Sequence, residues 1–359
     1  MMGLYHGFVY LAIRTGKNRA VDRGVVPEYN KQKGVMTMLF QKQIEKMYRS
    51  NLYLRNDNAQ GIFYFDPGDF PGLQAVGYDF KAQGGYDLKG FFYYYENPIP
   101  GRLVVFDHGL GNGHRAYMNE IEHLARAGFL VYSYDHTGCM ASGGEHTNGF
   151  AQSLKDLDRC IQVLKEEPAL ADRKLCVMGH SWGGFSTMNI SALHPELTHV
   201  VSMSGFVSIP MMIGQIMSGP LKIFRKPLLE LECNANPDYA QFDARKSLES
   251  TAAKVLLIYS DNDPTVHKNP HFDSLQQALS GRENIRFLLV EGKGHNPTYT
   301  VDAVTYKDNF FKELTKAGKK KQLETSEQQR EFMSRYDWKR MTTQDEAVWQ
   351  QIVDHLNGR

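Results

Sequence analysis

Cysteine is scarce in this chain: Cys139, Cys160, Cys176 and Cys233 are the four among 359 residues, with no C-x-x-C pair and no zinc-like spacing. That argues against a disulfide or metal framework and fits reduced thiols in a cytoplasmic protein. An excess of charge is lacking too. Lys and Arg number 41 against 40 Asp and Glu, a formal charge of +1, which gives nucleic acid or an anionic membrane no global attraction. Lys319, Lys320 and Lys321 read as a solvated face beside a helix end. No hydrophobic run is long enough to span a bilayer. The apolar stretch from Gly3 to Ile13 lacks a basic leader and a small-residue cleavage site, so it is expected to pack on the core rather than direct export. Internal repeats and low-complexity tracts are also missing.

What is present is a large apolar inventory, 42% hydrophobic residues with 20 Phe and 19 Tyr, enough for one core with decorations. From about residue 86, short apolar runs alternate with helical patterns, which predicts an α/β fold with a mostly parallel sheet covered on both faces. Expected strands are Gly90 to Tyr95, Leu103 to Phe106, Phe129 to Tyr134, Leu175 to Met178, Val200 to Met203, Val255 to Tyr259 and Ile285 to Val290. Between them, helix patterns fall at His114 to Ala127, Gln152 to Leu164, Gly183 to Leu193, Phe272 to Leu279 and Ala303 to Leu314. Val35 to Tyr48 is a further helix candidate, and Gly61 to Tyr95 reads as an antiparallel entry to the sheet.

The expected organisation is an N-terminal extension (1–60), a core (61–206 and 251–317), an insertion (207–250) and a C-terminal helical appendage (318–359). In the insertion, Met211, Met212, Ile213, Ile216, Met217, Leu221, Ile223 and Phe224 cluster with no following strand. It reads as a small helical cap, with a core-packing helix pair as the alternative. The appendage carries two capping-box spacings, Ser326 with Gln329 and Thr343 with Glu346. Its Ala347, Val348, Ile352 and Leu356 pattern fits either packing on its own core or a homodimer interface.

Chemistry gathers at strand ends. Ser181 lies in Gly179-His180-Ser181-Trp182-Gly183 directly after the run Leu175 to Met178, and strand followed by G-x-S-x-G is how a serine is presented on a sharp turn. The small flanks are a steric requirement, because a β-carbon two positions away on either side would collide with the turn. After Val255 to Tyr259 come Asp261 and Asp263, either of which could be the acid. After Phe287 to Val290 comes His295, a base whose ordinary pKa suits it to take a serine proton and return it. The glycine-rich loop after Leu103 to Phe106, Asp107 to Gly113, offers backbone N–H groups to a developing oxyanion. Leu110, to within one residue, and Trp182 are the expected donors. That loop lacks a P-loop ending and a properly spaced G-x-G-x-x-G. His108 and His114 have no carboxylate–histidine cluster beside them in the sequence, so neither a metal nor another cofactor is expected.

Together these residues resemble the α/β-hydrolase superfamily, and within it the serine aminopeptidase S33 and monoacylglycerol-lipase-like group, over roughly 90–314. The resemblance rests on His108-Gly109, the loop Tyr134 to Gly144, the Gly179 to Gly184 turn, Asp263 and His295. It implies the chain order Ser181, Asp263, His295, and it prefers Asp263 to Asp261 because Asp263 precedes Pro264 and Val266. In the Tyr134 to Gly144 loop the group usually reads Asp-x-x-Gly-x-Gly-x-Ser, and here Met140 takes the second glycine position. The expected function is a serine hydrolase of carboxylic esters working through an acyl-enzyme. The methionine-rich segment, with Met211, Met212 and Ile216 as expected contacts, suits an apolar acyl or small lipid-like substrate. An S33 or prolyl-oligopeptidase-type peptidase is the rival, needing cap carboxylates to hold a free amino terminus. Glu230 and Glu232 are the candidates, as readily surface ion pairs with nearby Arg225 and Lys226. A non-catalytic hydrolase-fold binding protein is the third reading.

Overall fold

The computed structural model describes residues 41–56, 65–96, 98–111 and 113–359. The apolar stretch Gly3 to Ile13 and the first part of the Val35 to Tyr48 helix candidate lie outside them. Residues 41–52 are helical (α1) and bury Ile44, Tyr48 and Leu52, a spacing of four that puts all three on one face.

Eight strands among the described residues form one sheet: β1 (Gln74–Gly77), β2 (Gly90–Tyr94), β3 (Arg102–Asp107), β4 (Leu130–Tyr134), β5 (Lys174–His180), β6 (His199–Met203), β7 (Lys254–Ser260) and β8 (Ile285–Val290). The spatial order is β1-β2-β4-β3-β5-β6-β7-β8. Strands β1 and β2 are antiparallel to their neighbours and the rest run parallel. The strand chemistry explains why both faces are covered. Along β3, Leu103 and Val105 join one core cluster while Val104 and Phe106 join the other, as alternating side chains must.

Helices α2 (Met118–Arg126), α3 (Gln152–Glu166) and α4 (Trp182–Asn189) follow β3, β4 and β5 in the chain, and α5 (Ile209–Ile216), α6 (Arg225–Ala235) and α7 (Ala244–Glu249) lie between β6 and β7. The last three place Met212, Ile213, Ile216, Leu228, Leu231 and Leu248 in the same cluster as α3 and α4, so this segment is anchored in the core. The chain ends with α8 (Asp273–Leu279), α9 (Val301–Lys319), α10 (Ser326–Met333), α11 (Trp338–Met341) and α12 (Glu346–Leu356).

Three boundaries differ from the sequence expectation, each for a local reason. The Gly183 to Leu193 helix starts at Trp182 and turns into a 3-10 segment at Ile190. The cap of α10 is Thr325 with Gln328 rather than Ser326 with Gln329, since these two bond each other reciprocally. The cap of α12 is Asp345, whose carboxylate accepts from both Ala347 and Val348 N–H, and Thr343 instead donates back to Lys339 O. The stretch expected as one appendage divides in packing. Phe332 of α10 and Met341 of α11 sit on Phe310 of α9, while Val348, Ile352 and Leu356 of α12 pack with Trp349 on the second face of the sheet. Burying each such side chain is worth about 1.5–3 kcal/mol, so Val348, Ile352 and Leu356 contribute to this chain's own core, while Ala347 stays exposed. Among the described residues, no helix is long and apolar enough to cross a membrane.

Candidate active site

The parallel strands end on one edge of the sheet, and the loops leaving β3, β5, β7 and β8 converge there. Ser181 follows β5 with φ 58 and ψ −107, a left-handed backbone that L-residues adopt only when their surroundings enforce it. The enforcement is visible: Ser181 N–H donates to Met203 O at 2.8 Å, and Phe185 N–H to Ser181 O at 3.0 Å. A β-carbon on Gly179 would strike the Gly183 carbonyl, and one on Gly183 the Asp107 carbonyl, which is why both positions are glycine.

His295 Nε2 lies 2.8 Å from Ser181 Oγ, and His295 Nδ1 lies 2.8 Å from Asp263 Oδ2. The other Asp263 oxygen accepts from Thr265 N–H at 2.7 Å and Val266 N–H at 3.0 Å. Burial alone would push the Asp263 carboxyl up; the His295 charge and these donors overcome that and hold it below the usual carboxylate range. The rival acid has a different task. Asp261 accepts from Gly292 N–H at 2.8 Å, while Asn262 accepts from Gly294 N–H at 2.8 Å and Ser260 Oγ from Lys293 N–H at 3.0 Å. Three consecutive side chains thus splint the loop that carries His295.

Leu110 lies in the turn after β3, and Trp182 opens α4. Neither backbone N–H has an acceptor among the described residues. Asn112, within the same loop, lies outside the described residues. Of the three expected substrate contacts, Met211 lines an open cavity of about 540 Å³ with Pro210, Gly214, Gln215, Ser218, Arg225, His267 and Pro270. Met212 and Ile216 are not on it; they are buried in the core cluster. Gln215 ties α5 to the acid loop through Thr265 O at 3.0 Å and His267 N–H at 3.1 Å.

Several residues here escaped sequence reasoning. His180, inside the serine motif, has its Nδ1 2.9 Å from Tyr117 Oη and its Nε2 2.6 Å from His295 O. Burial and the neighbouring His295 pull its pKa down to about 3, so it serves as a neutral bracket. His114 Nδ1 is 2.8 Å from Asp135 and His114 Nε2 is 2.8 Å from Tyr93 Oη. No spacing in the sequence links these groups, although the Asp135-His136 dipeptide sits in the loop that carries the family resemblance. That loop's departure is accommodated: Met140 takes φ 48, with its N–H on Asn56 O at 2.8 Å and its carbonyl accepting from Arg55 at 2.6 Å.

Glu232 is also placed unexpectedly. It is fully buried, accepting from Tyr48 Oη at 2.8 Å and Phe150 N–H at 2.8 Å. Burial pushes its carboxyl up to about 7 against those donors. It clamps α1 and the start of α3 onto α6, whereas Glu230 is exposed, 3.9 Å from Lys226.

A mostly parallel sheet with a serine on a strained strand-to-helix turn defines an α/β-hydrolase. More narrowly, the chain belongs to the serine aminopeptidase S33 family, whose model matches residues 98–288. That span holds Ser181 and Asp263 and stops short of His295. Esterase YjfP of Escherichia coli is 28% identical over 207 residues, 53% of this chain and 79% of that protein. The monoacylglycerol lipase of Mycolicibacterium smegmatis is 28% identical over 108 residues, and the match spans 30% of this chain and 38% of the lipase. Among solved structures, the Pyrococcus furiosus esterase Pf2001 superposes with a TM-score of 0.55 at 20% identity, covering 74% of this chain and 98% of that one, a likeness of fold.

Proposed function

We propose that the protein is a serine hydrolase of carboxylic esters with Ser181 as nucleophile, His295 as general base and Asp263 as the acid that orients it. The observation that carries this reading is the continuous line Asp263–His295–Ser181, 2.8 Å at each step, ending on a strained serine. His295 Nε2 takes the Ser181 proton as Oγ attacks the ester carbonyl, and the Leu110 and Trp182 N–H groups receive the oxyanion. The proton passes to the leaving alkoxide, and water activated by the same imidazole releases the acid from the acyl-enzyme. The alcohol, the acid and the free serine balance the reaction with no further reagent.

Segment 207–250 acts in this reading as a cap beside the site. The Gln215 bonds to the acid loop support that, and the methionine-rich composition of the segment favours an apolar acyl or small lipid-like substrate. The relatives named esterase and monoacylglycerol lipase point the same way. The unpaired Cys139, Cys160, Cys176 and Cys233 suit a cytoplasmic location. The family's description as a serine aminopeptidase keeps amide substrates as a second reading. Against it, Glu232 is committed to Tyr48 and Phe150 and offers no carboxylate to a free ammonium group. Hydrolysis of p-nitrophenyl esters from acetyl to palmitoyl, beside an aminoacyl-nitroanilide panel, tests both. Ester turnover falling by about 10⁴-fold or more in Ser181→Ala is the expected outcome. Preference for the nitroanilides would replace the ester reading with the peptidase one.

A further inference from the structure

The loop after β3 is held by an unusual pair of buried histidines. His108 Nδ1 is 2.8 Å from the carbonyl oxygen of Gly109. A trans peptide unit is planar, with its N–H directed opposite to its C=O. Pinning Gly109 O on the His108 ring therefore points the Leu110 N–H, which belongs to the same peptide unit, away from that ring. The preceding unit is pinned as well, Gly109 N–H donating to Tyr117 Oη at 3.1 Å.

The protonation pattern needed for this is imposed from outside. His136 N–H donates to His108 Nε2 at 3.1 Å, so Nε2 must present a lone pair and the proton must sit on Nδ1, where it reaches Gly109 O. The His136 ring lies 4.5 Å from the His108 ring, centroid to centroid. Its two nitrogens lie within ion-pair distance of two different carboxylates, Asp107 Oδ1 at 2.9 Å and Asp156 Oδ2 at 3.4 Å, although neither contact has hydrogen-bond geometry. Asp107 also accepts from Tyr134 Oη at 3.1 Å and from Ser186 Oγ. Asp156 accepts from Thr137 N–H at 2.8 Å, Thr137 Oγ1 at 2.9 Å and Gln152 at 2.8 Å. All of these groups are buried, and two buried carboxylates need a cation between them. His136 is the group so placed, and a charged His136 in turn keeps the adjacent His108 ring neutral.

We propose that His108 and His136 are a locked neutral–cationic pair that aims the Leu110 N–H at the oxyanion, His108 as the positioning residue and His136 as the group fixing its tautomer. The inference rests on the serine-hydrolase reading above. The pKa directions agree with the geometry: burial and the His136 charge draw His108 down to about 3, while Asp107 and Asp156 overcome burial and lift His136 to about 9.

The test compares two variants of nearly equal size in the full chain. His108→Leu removes the donor, and His108→Asn places an amide where Nδ1 stood. Wild-type ester turnover and its loss in Ser181→Ala are read first; absence of turnover overturns the functional reading and this inference with it. With turnover established, His108→Leu is expected to lower kcat about 100-fold with KM little changed, the loss typical of one oxyanion donor, and His108→Asn to recover much of it. Affinity for an alkyl trifluoromethyl ketone, which forms an oxyanion on the serine, is expected to fall in proportion to kcat. Equal losses in the two variants, or an unmoved ketone affinity, overturn the pair while leaving the hydrolase reading standing. Should either variant fail to fold, imidazole ¹⁵N spectra of the wild-type enzyme decide. Two protonated nitrogens on His136 with an Nδ1–H tautomer of His108 support the proposal, and a neutral His136 or an Nε2–H His108 overturns it.

Discussion

The Asp263–His295 and Asp135–His114 pairs have the same ring-to-carboxylate distance, 2.8 Å, and the same 2.8 Å step from the far nitrogen to a hydroxyl. They differ in what that hydroxyl is and in what can reach it. His114 ends on Tyr93 with its side chain and that of Asp135 only 1% and 5% exposed, whereas the His295 side chain is 20% exposed and ends on Ser181. A buried phenol held on a strand has no substrate to meet. In the proposed reading a serine on a left-handed turn at the strand ends does. The histidine–carboxylate pair is thus a structural module, and in that reading the third group makes it reactive.

The largest effect expected from breaking this comparison lies at the reactive pair. Asp263→Asn keeps the shape but loses the charge that fixes the His295 tautomer, and kcat for an ester is expected to fall about 10⁴-fold with folding retained; steady-state kinetics with a thermal melt check it. The matching change at the interior pair should act on stability instead. Asp135→Asn removes a charge-assisted bond to the buried His114 and is expected to lower the unfolding free energy by about 2–3 kcal/mol, with kcat per folded molecule unchanged. Denaturant titration beside active-site counting measures both, and an equal loss of rate in the two variants would show the pairs to be functionally alike.

The smallest and broadest effect is the dependence of stability on pH. Burial is the leading cause that draws His108 and His180 down to about 3 and His199, His271 and His355 down to about 4. The unfolded chain takes up protons at these five near pH 6.5 and the folded one does not, so their contribution is complete above that pH and is lost as pH falls towards 4. His136, lifted to about 9, has the opposite sign: its contribution is complete below 6.5 and is lost as pH rises through 9. The melting temperature is therefore expected to peak near neutrality, with an acid limb steeper than the alkaline one. A flat profile between pH 4 and 7 would mean that the buried histidines are solvated.

Much of this was legible in the chain. Buried parallel strands are short unbroken apolar runs, so β3 to β8 were readable within a residue or two. Ser181 and His295 follow such runs beside glycines, which is a local signal. Helix starts were less legible, because Thr325 and Ser326, or Thr343 and Asp345, compete as caps and only the three-dimensional bonds choose between them. The insertion was less legible: Met211, Met212 and Ile216 look alike in sequence, and only packing separates the cavity-lining Met211 from Met212 and Ile216 in the core cluster.

By itself the sequence determined the alternation of apolar runs and the strained serine turn, since each depends on residues adjacent in the chain, while the order Ser181, Asp263, His295 is what the family resemblance implies. The tertiary structure brings to His295 the acid that the resemblance prefers, Asp263, and it alone decided which histidine is charged and which neutral, and that Glu232 clamps α1 and the start of α3 onto α6. Those outcomes turn on distances of 2.8 to 3.4 Å between groups far apart in the chain. The charge of a buried group is set by the partners that folding brings to it.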